Sequence, residues 1–145
     1  ECELRILGDG EEREYLKGIA GNSERIVFAG AVSPQKVQEI MRESDILVMN
    51  STFEGIPMII LEAISLGVPV ITTDVGGIKE VLTYGQDSEM TDGTVNQIRK
   101  AMEKICADYD RYSRNAYEKS LQFDYRKVNR TIFSVLNESL KWEGN

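Results

Sequence analysis

Two carboxylates bracket an apolar run in the stretch Ser51-Thr52-Phe53-Glu54-Gly55-Ile56-Pro57-Met58-Ile59-Ile60-Leu61-Glu62-Ala63. Glu54 falls in a turn that contains glycine and proline. Glu62 falls inside the helix expected after it. A carboxylate in an apolar helix is costly unless a polar group meets it. Glu62 is therefore either satisfied by the protein, as a surface residue or the partner of a lysine or arginine, or it faces a ligand rich in hydroxyl groups.

Taken alone, an isolated glutamate in an apolar helix favours the first reading; the string around it adds weight to the second. With Pro57 as the first helical residue, where its missing N–H costs nothing, the N–H groups of Met58 and Ile59 point outward from the positive end of the helix dipole. Such an end suits a phosphate or diphosphate, and Gly55 lets backbone approach the ligand closely. At about 100° per residue, Met58, Glu62 and Ser65 share one narrow face, while Ile59, Ile60, Leu61, Ala63, Ile64 and Leu66 cover most of the rest. A nearly all-buried helix with one polar stripe borders a cleft. Glu62 lies about 6 Å along the axis from the anion site. This arrangement suits a nucleotide sugar: diphosphate at the helix tip, ribose hydroxyls on Glu62, transferred sugar on Glu54. Carboxylates accept vicinal hydroxyls well. Ser51, Glu54-Gly55, Pro57 and Glu62 also follow a strand in the order a phosphate-binding crevice needs, at the carboxyl ends of parallel strands.

The elements that must position these residues alternate. Leu4–Leu7, Arg25–Ala29, Asp45–Met49 and Val68–Thr72 read as strands. Glu11–Ala20, a helix capped by Ser33 with Pro34 in its first turn, the Pro57 helix ending at Gly67, and a short helix after Gly76-Gly77 read as the intervening helices. Continuous apolar strands such as 46–49 and 68–71 fit a sheet covered on both faces. The fold class is therefore α/β, a Rossmann-like doubly wound parallel sheet. Beyond Thr91 the strand signal ends, and helices are expected over Val95–Cys106, 108–122 and 126–141. The last carries an apolar stripe of Val128, Ile132, Val135, Leu136 and Leu140. Tyr84–Gly93, polar and glycine-bearing, reads as a loop.

Composition narrows the function. The chain has 145 residues, 41% hydrophobic and 28% charged, which suits one domain with a real core. A net charge of −7 speaks against nucleic acid and against docking on an anionic membrane. There is no histidine, and Cys2 and Cys106 form no close pair, so neither a His/Cys metal site nor a catalytic histidine is expected in this chain. No apolar run is long enough to insert in a membrane, and the start does not read as a signal peptide, so the expected location is cytoplasmic. Glycosylation-type triplets at Asn50, Asn129 and Asn137 read as chance matches.

An ordered set of motifs then resembles the C-terminal half of a GT-B glycosyltransferase of the large retaining group called family 4. It comprises Ile6-Leu7-Gly8-Asp9-Gly10, Val27-Phe28-Ala29-Gly30, Asn50-Ser51, Glu54-Gly55-Ile56-Pro57, Leu61-Glu62-Ala63, Gly67-Val68-Pro69-Val70 and Gly76-Gly77-Ile78-Lys79-Glu80. Glu54 and Glu62 match that family's E-x7-E motif. The resemblance covers residues 4–85 strongly and the helical tail loosely. It implies one half of a GT-B fold, with residues 1–145 as the nucleotide-sugar-binding domain and the acceptor domain upstream of this chain. It also implies a donor substrate, a nucleoside-diphosphate sugar with UDP-sugars favoured, no cofactor and no metal, and transfer of a hexose to a glycan or lipid acceptor with retention. Glu62 would hold the ribose. Glu54 would contact the donor sugar and support charge at the anomeric carbon. Backbone near Ile56, Pro57, Met58 and Ile59 would hold the diphosphate, and the turn from Gly30 to Val32 would border the base. The basic pair that clamps the diphosphate in that family has no counterpart here, and Ser88-Glu89-Met90 stands where the family has a Gly-x-Leu-Val strand. The isolated chain is expected to be inactive, with any peripheral membrane attachment supplied by the missing domain.

Two other classes compete: a nucleotide-sugar epimerase half, which usually needs histidines, and a non-catalytic Rossmann-like interaction module. The remaining features have plainer readings. Gly8-Asp9-Gly10 is a turn, since Arg13 breaks a dinucleotide fingerprint. Gly76-Gly77 is either a tight turn or a lining of the donor cleft. Tyr109, Tyr112, Tyr117 and Tyr125 are packing residues, Glu80 is structural or exposed, and Arg126, Lys127 and Arg130 form a solvated helix start.

Overall fold

A computed structural model describes residues 2–142; the side chains of Val128 and of residues 136–142 lie outside the description. The chain divides into two compact units, residues 1–43 and 44–145.

In the first unit, β1 (Leu4–Leu7) and β2 (Ile26–Gly30) pair in parallel, with Leu4 opposite Ile26 and Ile6 opposite Phe28. Helix α1 (Arg13–Ala20) joins them, and α2 (Pro34–Arg42) follows. Helix α1 starts later than expected, because Glu11 and Glu12 lie in a turn closed by the Arg13 N–H on the Gly10 carbonyl (3.1 Å). Ser33 caps α2 by accepting the Lys36 N–H at 3.2 Å, with Pro34 as the first helical residue.

The second unit holds a parallel three-stranded sheet in the order β3 (Leu47–Met49), β4 (Val70–Thr73), β5 (Ser88–Thr91). Helix α3 (Met58–Ser65) links β3 to β4, and the short α4 (Ile78–Val81) links β4 to β5. Helices α5 (Val95–Ala107), α6 (Tyr109–Ser120) and α7 (Tyr125–Trp142) follow, with a 3-10 turn at Leu121–Phe123. Successive strand residues face opposite ways, yet Val70, Ile71 and Thr72 are all fully buried, so both faces of β4 are covered. The Ile71 face packs on Ala101 and Ile105 of α5 and Tyr112 of α6, flanked by Ile46, Met102 and Tyr109.

Strand β5 corrects the expected loop at Tyr84–Gly93. Its side chains are polar, so no apolar run marks it, but the core supplies their partners. Glu89 is buried, accepting the Tyr112 hydroxyl and pairing with Lys104 Nζ at 2.9 Å. Ser88 donates to Asp87 (2.8 Å), which also accepts the Thr83 N–H (2.8 and 3.1 Å). A buried polar group that is hydrogen-bonded costs little, and the strand survives.

The last helix also departs from expectation. Of its proposed stripe, Ile132 and Val135 are exposed, and Val128, Leu136 and Leu140 lie outside the described side chains. Tyr109 and Tyr112 pack in the core, whereas Tyr117 and Tyr125 are exposed. Among the described residues, no helix is long and apolar enough to cross a membrane.

Candidate functional site

Every loop that leaves the carboxyl end of the second sheet converges on one segment, Asn50–Pro57. This segment has no regular structure of its own, so its shape comes from its neighbours. The Thr73 hydroxyl, at the end of β4, donates to the Ser51 carbonyl at 2.6 Å. The Gly77 N–H donates to the Gly55 carbonyl at 3.0 Å. The Asn50 side chain donates to the Gly93 carbonyl at 3.3 Å.

Glycines make these approaches feasible. Gly76 has φ +57°, and a β-carbon built on it would lie 1.7 Å from the Glu54 carbonyl oxygen. One built on Gly77 would lie 2.8 Å from Ile56 Cγ1, and one on Gly93 2.5 Å from Asn50 Oδ1. At Gly76 the obstacle is backbone and no side chain fits; at Gly77 and Gly93 the facing atoms belong to the Ile56 and Asn50 side chains, which would have to shift. Gly76-Gly77 is thus a turn whose surface is pressed against the backbone of Glu54 and Gly55.

Within the segment, Ser51 Oγ donates to Glu54 Oε1 at 2.9 Å, and Ser51 and Glu54 are both half-buried. Among the described residues, Glu54 Oε2 has no hydrogen-bond partner. Phe53, Gly55 and Ile56 are exposed, Phe53 almost completely.

Pro57 is the N-cap of α3 rather than its first residue, with φ −68° and ψ 123°. Its extended ψ turns its carbonyl into the helix, where it accepts the Ile60 N–H at 3.1 Å. That leaves the N–H groups of Met58 and Ile59 as the orphan donors of the first turn. Along α3 the burial follows the expected faces only in part: Ile59 and Leu61 are half-buried and Leu66 is exposed, where a nearly all-buried helix is expected. Ile60, Ala63 and Ile64 are buried, while Met58 and Ser65 are exposed and Glu62 is half-buried between them. Ser65 Oγ bonds the Glu62 carbonyl (2.7 Å), so the carboxylate itself is not engaged by it. Glu62 forms no ion pair with any described lysine or arginine.

Nearby loops add fixed charge. The Asp92 carboxylate accepts both the Thr94 hydroxyl (2.6 Å) and the Thr94 N–H (2.9 Å), which hold it below the usual carboxylate range. The Tyr84 hydroxyl is buried without a hydrogen-bond partner among the described residues. Burial and the Asp74 carboxylate push its phenol up to about 12. Among the described residues, no group of three or more His, Cys, Asp or Glu side chains is arranged to ligate a metal.

Ser51, Glu54, Gly55, Ile56, Pro57, Met58, Ile59 and Glu62 are thus contiguous in one unit. Gly30 and Val32 belong to the other. There Gly30 has φ +70°, accepts the Gly8 N–H at 2.8 Å, and lies under the Arg13 guanidinium, 3.5 Å from where its β-carbon would be. Arg13 is itself held by Asp9 at 3.0 Å. Thr73 and Gly93 were not legible as site residues in the sequence, where their only signal was their place at strand ends; Asn50 stood out only as part of the Asn50-Ser51 motif.

The family model described as Glycosyl transferases group 1 matches residues 1–108. The chain belongs to this family. Among its group 1 relatives, the lipopolysaccharide 1,6-galactosyltransferase of Salmonella typhimurium is 27% identical over 150 aligned residues, covering 95% of this chain and 42% of that protein. The lipopolysaccharide outer core galactosyltransferase WaaB, in its apo form, superposes with a TM-score of 0.73 at 27% identity, over 91% of this chain and 40% of that one. Anabaena HepE, solved in complex with UDP, gives a TM-score of 0.79 at 23% identity, over 94% of this chain and 41% of that one, and shows the shared fold. The group 1 domain described here is therefore a GT-B-type α/β domain that spans about two fifths of the length of these relatives.

Proposed function

We propose that this chain is the donor-binding half of a retaining, metal-independent glycosyltransferase. It moves a hexose from a nucleoside-diphosphate sugar, a UDP-sugar in the first instance, to a glycan or lipid acceptor on the cytoplasmic side. The diphosphate caps the Met58 and Ile59 N–H groups, Glu62 accepts the ribose hydroxyls, and Glu54 contacts the sugar. Acceptor binding and water exclusion fall to a second domain, and the isolated chain transfers no sugar.

One observation carries this reading: the open N-terminus of α3, the Glu54 carboxylate and the Glu62 carboxylate share one short segment at the carboxyl end of a parallel sheet, where ligands of open α/β folds bind. The UDP complex of HepE and the galactosyltransferase names of the relatives support the donor class.

Glu54 acts where charge develops during transfer. In the complete protein, Glu54→Gln is therefore expected to lower kcat more than it raises KM. Equal effects on both would mean that Glu54 binds ground and transition states alike and would remove its assigned role.

A further inference from the structure

We infer that Thr73 is a positioning residue for Glu54, acting through Ser51. The inference rests on the donor-binding role of this segment proposed above.

Two hydrogen bonds run in series from the sheet to the carboxylate. Thr73, the last residue of β4, pairs with Thr91 of β5 and is fixed by the ladder. Its hydroxyl donates to the Ser51 carbonyl at 2.6 Å, and the Ser51 hydroxyl donates to Glu54 Oε1 at 2.9 Å. Ser51 therefore spends its proton on Glu54 rather than on a ligand. Its further role is to hold one carboxylate oxygen while Oε2 stays open for a sugar hydroxyl.

The residue type at position 73 supports this. A half-buried strand position favours valine at least as much as threonine, on both packing and β-propensity. Threonine has the same shape and adds one donor, and that donor meets a carbonyl in a segment without secondary structure. Removing it leaves Ser51 with a carbonyl short of a partner and frees the peptide that carries the Ser51 hydroxyl. Gly76 and Gly77 press on the following peptides, Glu54 and Gly55, so the same turn fixes the segment from below. Misplacement of a reacting group by about 1 Å can cost on the order of 100-fold in rate, so a tether of this kind has a direct consequence for transfer.

The test uses the 145-residue chain as wild type, Thr73→Val, Thr73→Ser and Ser51→Ala. Amide hydrogen exchange of Ser51–Ile56 is measured without ligand, and UDP and UDP-glucose are titrated by calorimetry. Thr73→Val is expected to speed exchange of that segment and to leave UDP affinity within about twofold of wild type. It is also expected to reduce the preference for UDP-glucose over UDP by roughly three- to tenfold, the worth of one hydrogen bond. Ser51→Ala should reproduce the lost preference, and Thr73→Ser should restore both properties. Unchanged exchange in Thr73→Val, or a lost preference that Thr73→Ser fails to restore, overturns the inference. A wild-type chain that binds neither nucleotide overturns the donor-binding reading instead, and the tether then stands or falls on the exchange data.

Discussion

Replacing Gly76 by alanine separates two costs that the structure assigns to one glycine. The first is conformational: at φ +57° an L-residue pays about 1–2 kcal/mol for left-handed backbone. The second is a collision. The new methyl would lie 1.7 Å from the Glu54 carbonyl oxygen, 2.7 Å from its carbon and 3.0 Å from the Gly55 oxygen. Backbone cannot rotate away as a side-chain tip can, so the Glu54 peptide must retreat by more than about 1 Å, enough to forfeit most of a contact well. That motion also breaks the 3.0 Å bond from the Gly77 N–H to the Gly55 carbonyl. Overpacking and a lost hydrogen bond together add roughly 2–4 kcal/mol. Gly85 is the control. It also has positive φ (+79°), but nothing lies within 4 Å of its would-be β-carbon, so Gly85→Ala carries the conformational cost alone. Urea unfolding of both variants, followed by far-UV circular dichroism, gives the difference directly. Equal destabilisation by the two substitutions would show that Gly76 does not press on Glu54 and would refute the packing argument.

Three further outcomes follow from other parts of the fold. Because the folded-state phenol of Tyr84 is pushed up to about 12, the unfolded chain loses this proton first as pH rises above its ordinary value near 10. Stability is then lost between those values and is unaffected below them. Tyr84→Phe should therefore flatten the alkaline limb of a stability profile and remove one late-titrating phenol from the ultraviolet titration; an unchanged profile contradicts this. At pH 7 the same variant removes a buried hydroxyl that has no partner among the described residues, so calorimetry should find stability equal to or slightly above wild type. Glu89→Ala strips the Tyr112 hydroxyl of its buried acceptor and should cost about 1–3 kcal/mol in urea unfolding, whereas Lys104→Ala, at the exposed end of the pair, should cost about 1 kcal/mol or less.

The parts of this domain legible in its sequence are those built on apolar pattern. Strand β4 announces itself through Val68-Pro69-Val70-Ile71, because a strand buried on both faces has no polar alternation to hide it; Ile46-Leu47-Val48-Met49 marks β3 by the same apolar run, although Val48 is exposed. Ser33-Pro34 marks a helix start by cap chemistry alone, and the Ser33 bond to Lys36 follows. Strand β5 was hidden because Ser88, Glu89 and Thr91 are buried with partners that only the folded chain supplies, above all Tyr112 and Lys104 from helices later in sequence. The exposed Ile132 and Val135 show the converse: helical spacing gives a helix its face, and does not fix how far that face is buried. At the site, the order Ser51, Glu54, Pro57, Glu62 was legible as chemistry. The supports Thr73 and Gly93 were not, since they act on Ser51 and Asn50, 22 and 43 positions away, and such contacts leave no local signature; Gly76 was legible as a turn or a cleft lining, but not as the residue that meets the Glu54 backbone.

In the proposed site the tip of α3 and the Glu62 carboxylate grip one nucleotide together. Titrating UDP into the isotopically labelled chain and following amide resonances checks this residue by residue. Saturable shifts are expected at Met58, Ile59 and Glu62, with an affinity loss of about 1–3 kcal/mol in Glu62→Ala, the worth of hydrogen bonds to a charged group. Shifts that bypass α3, or a Glu62→Ala affinity equal to wild type, would contradict it.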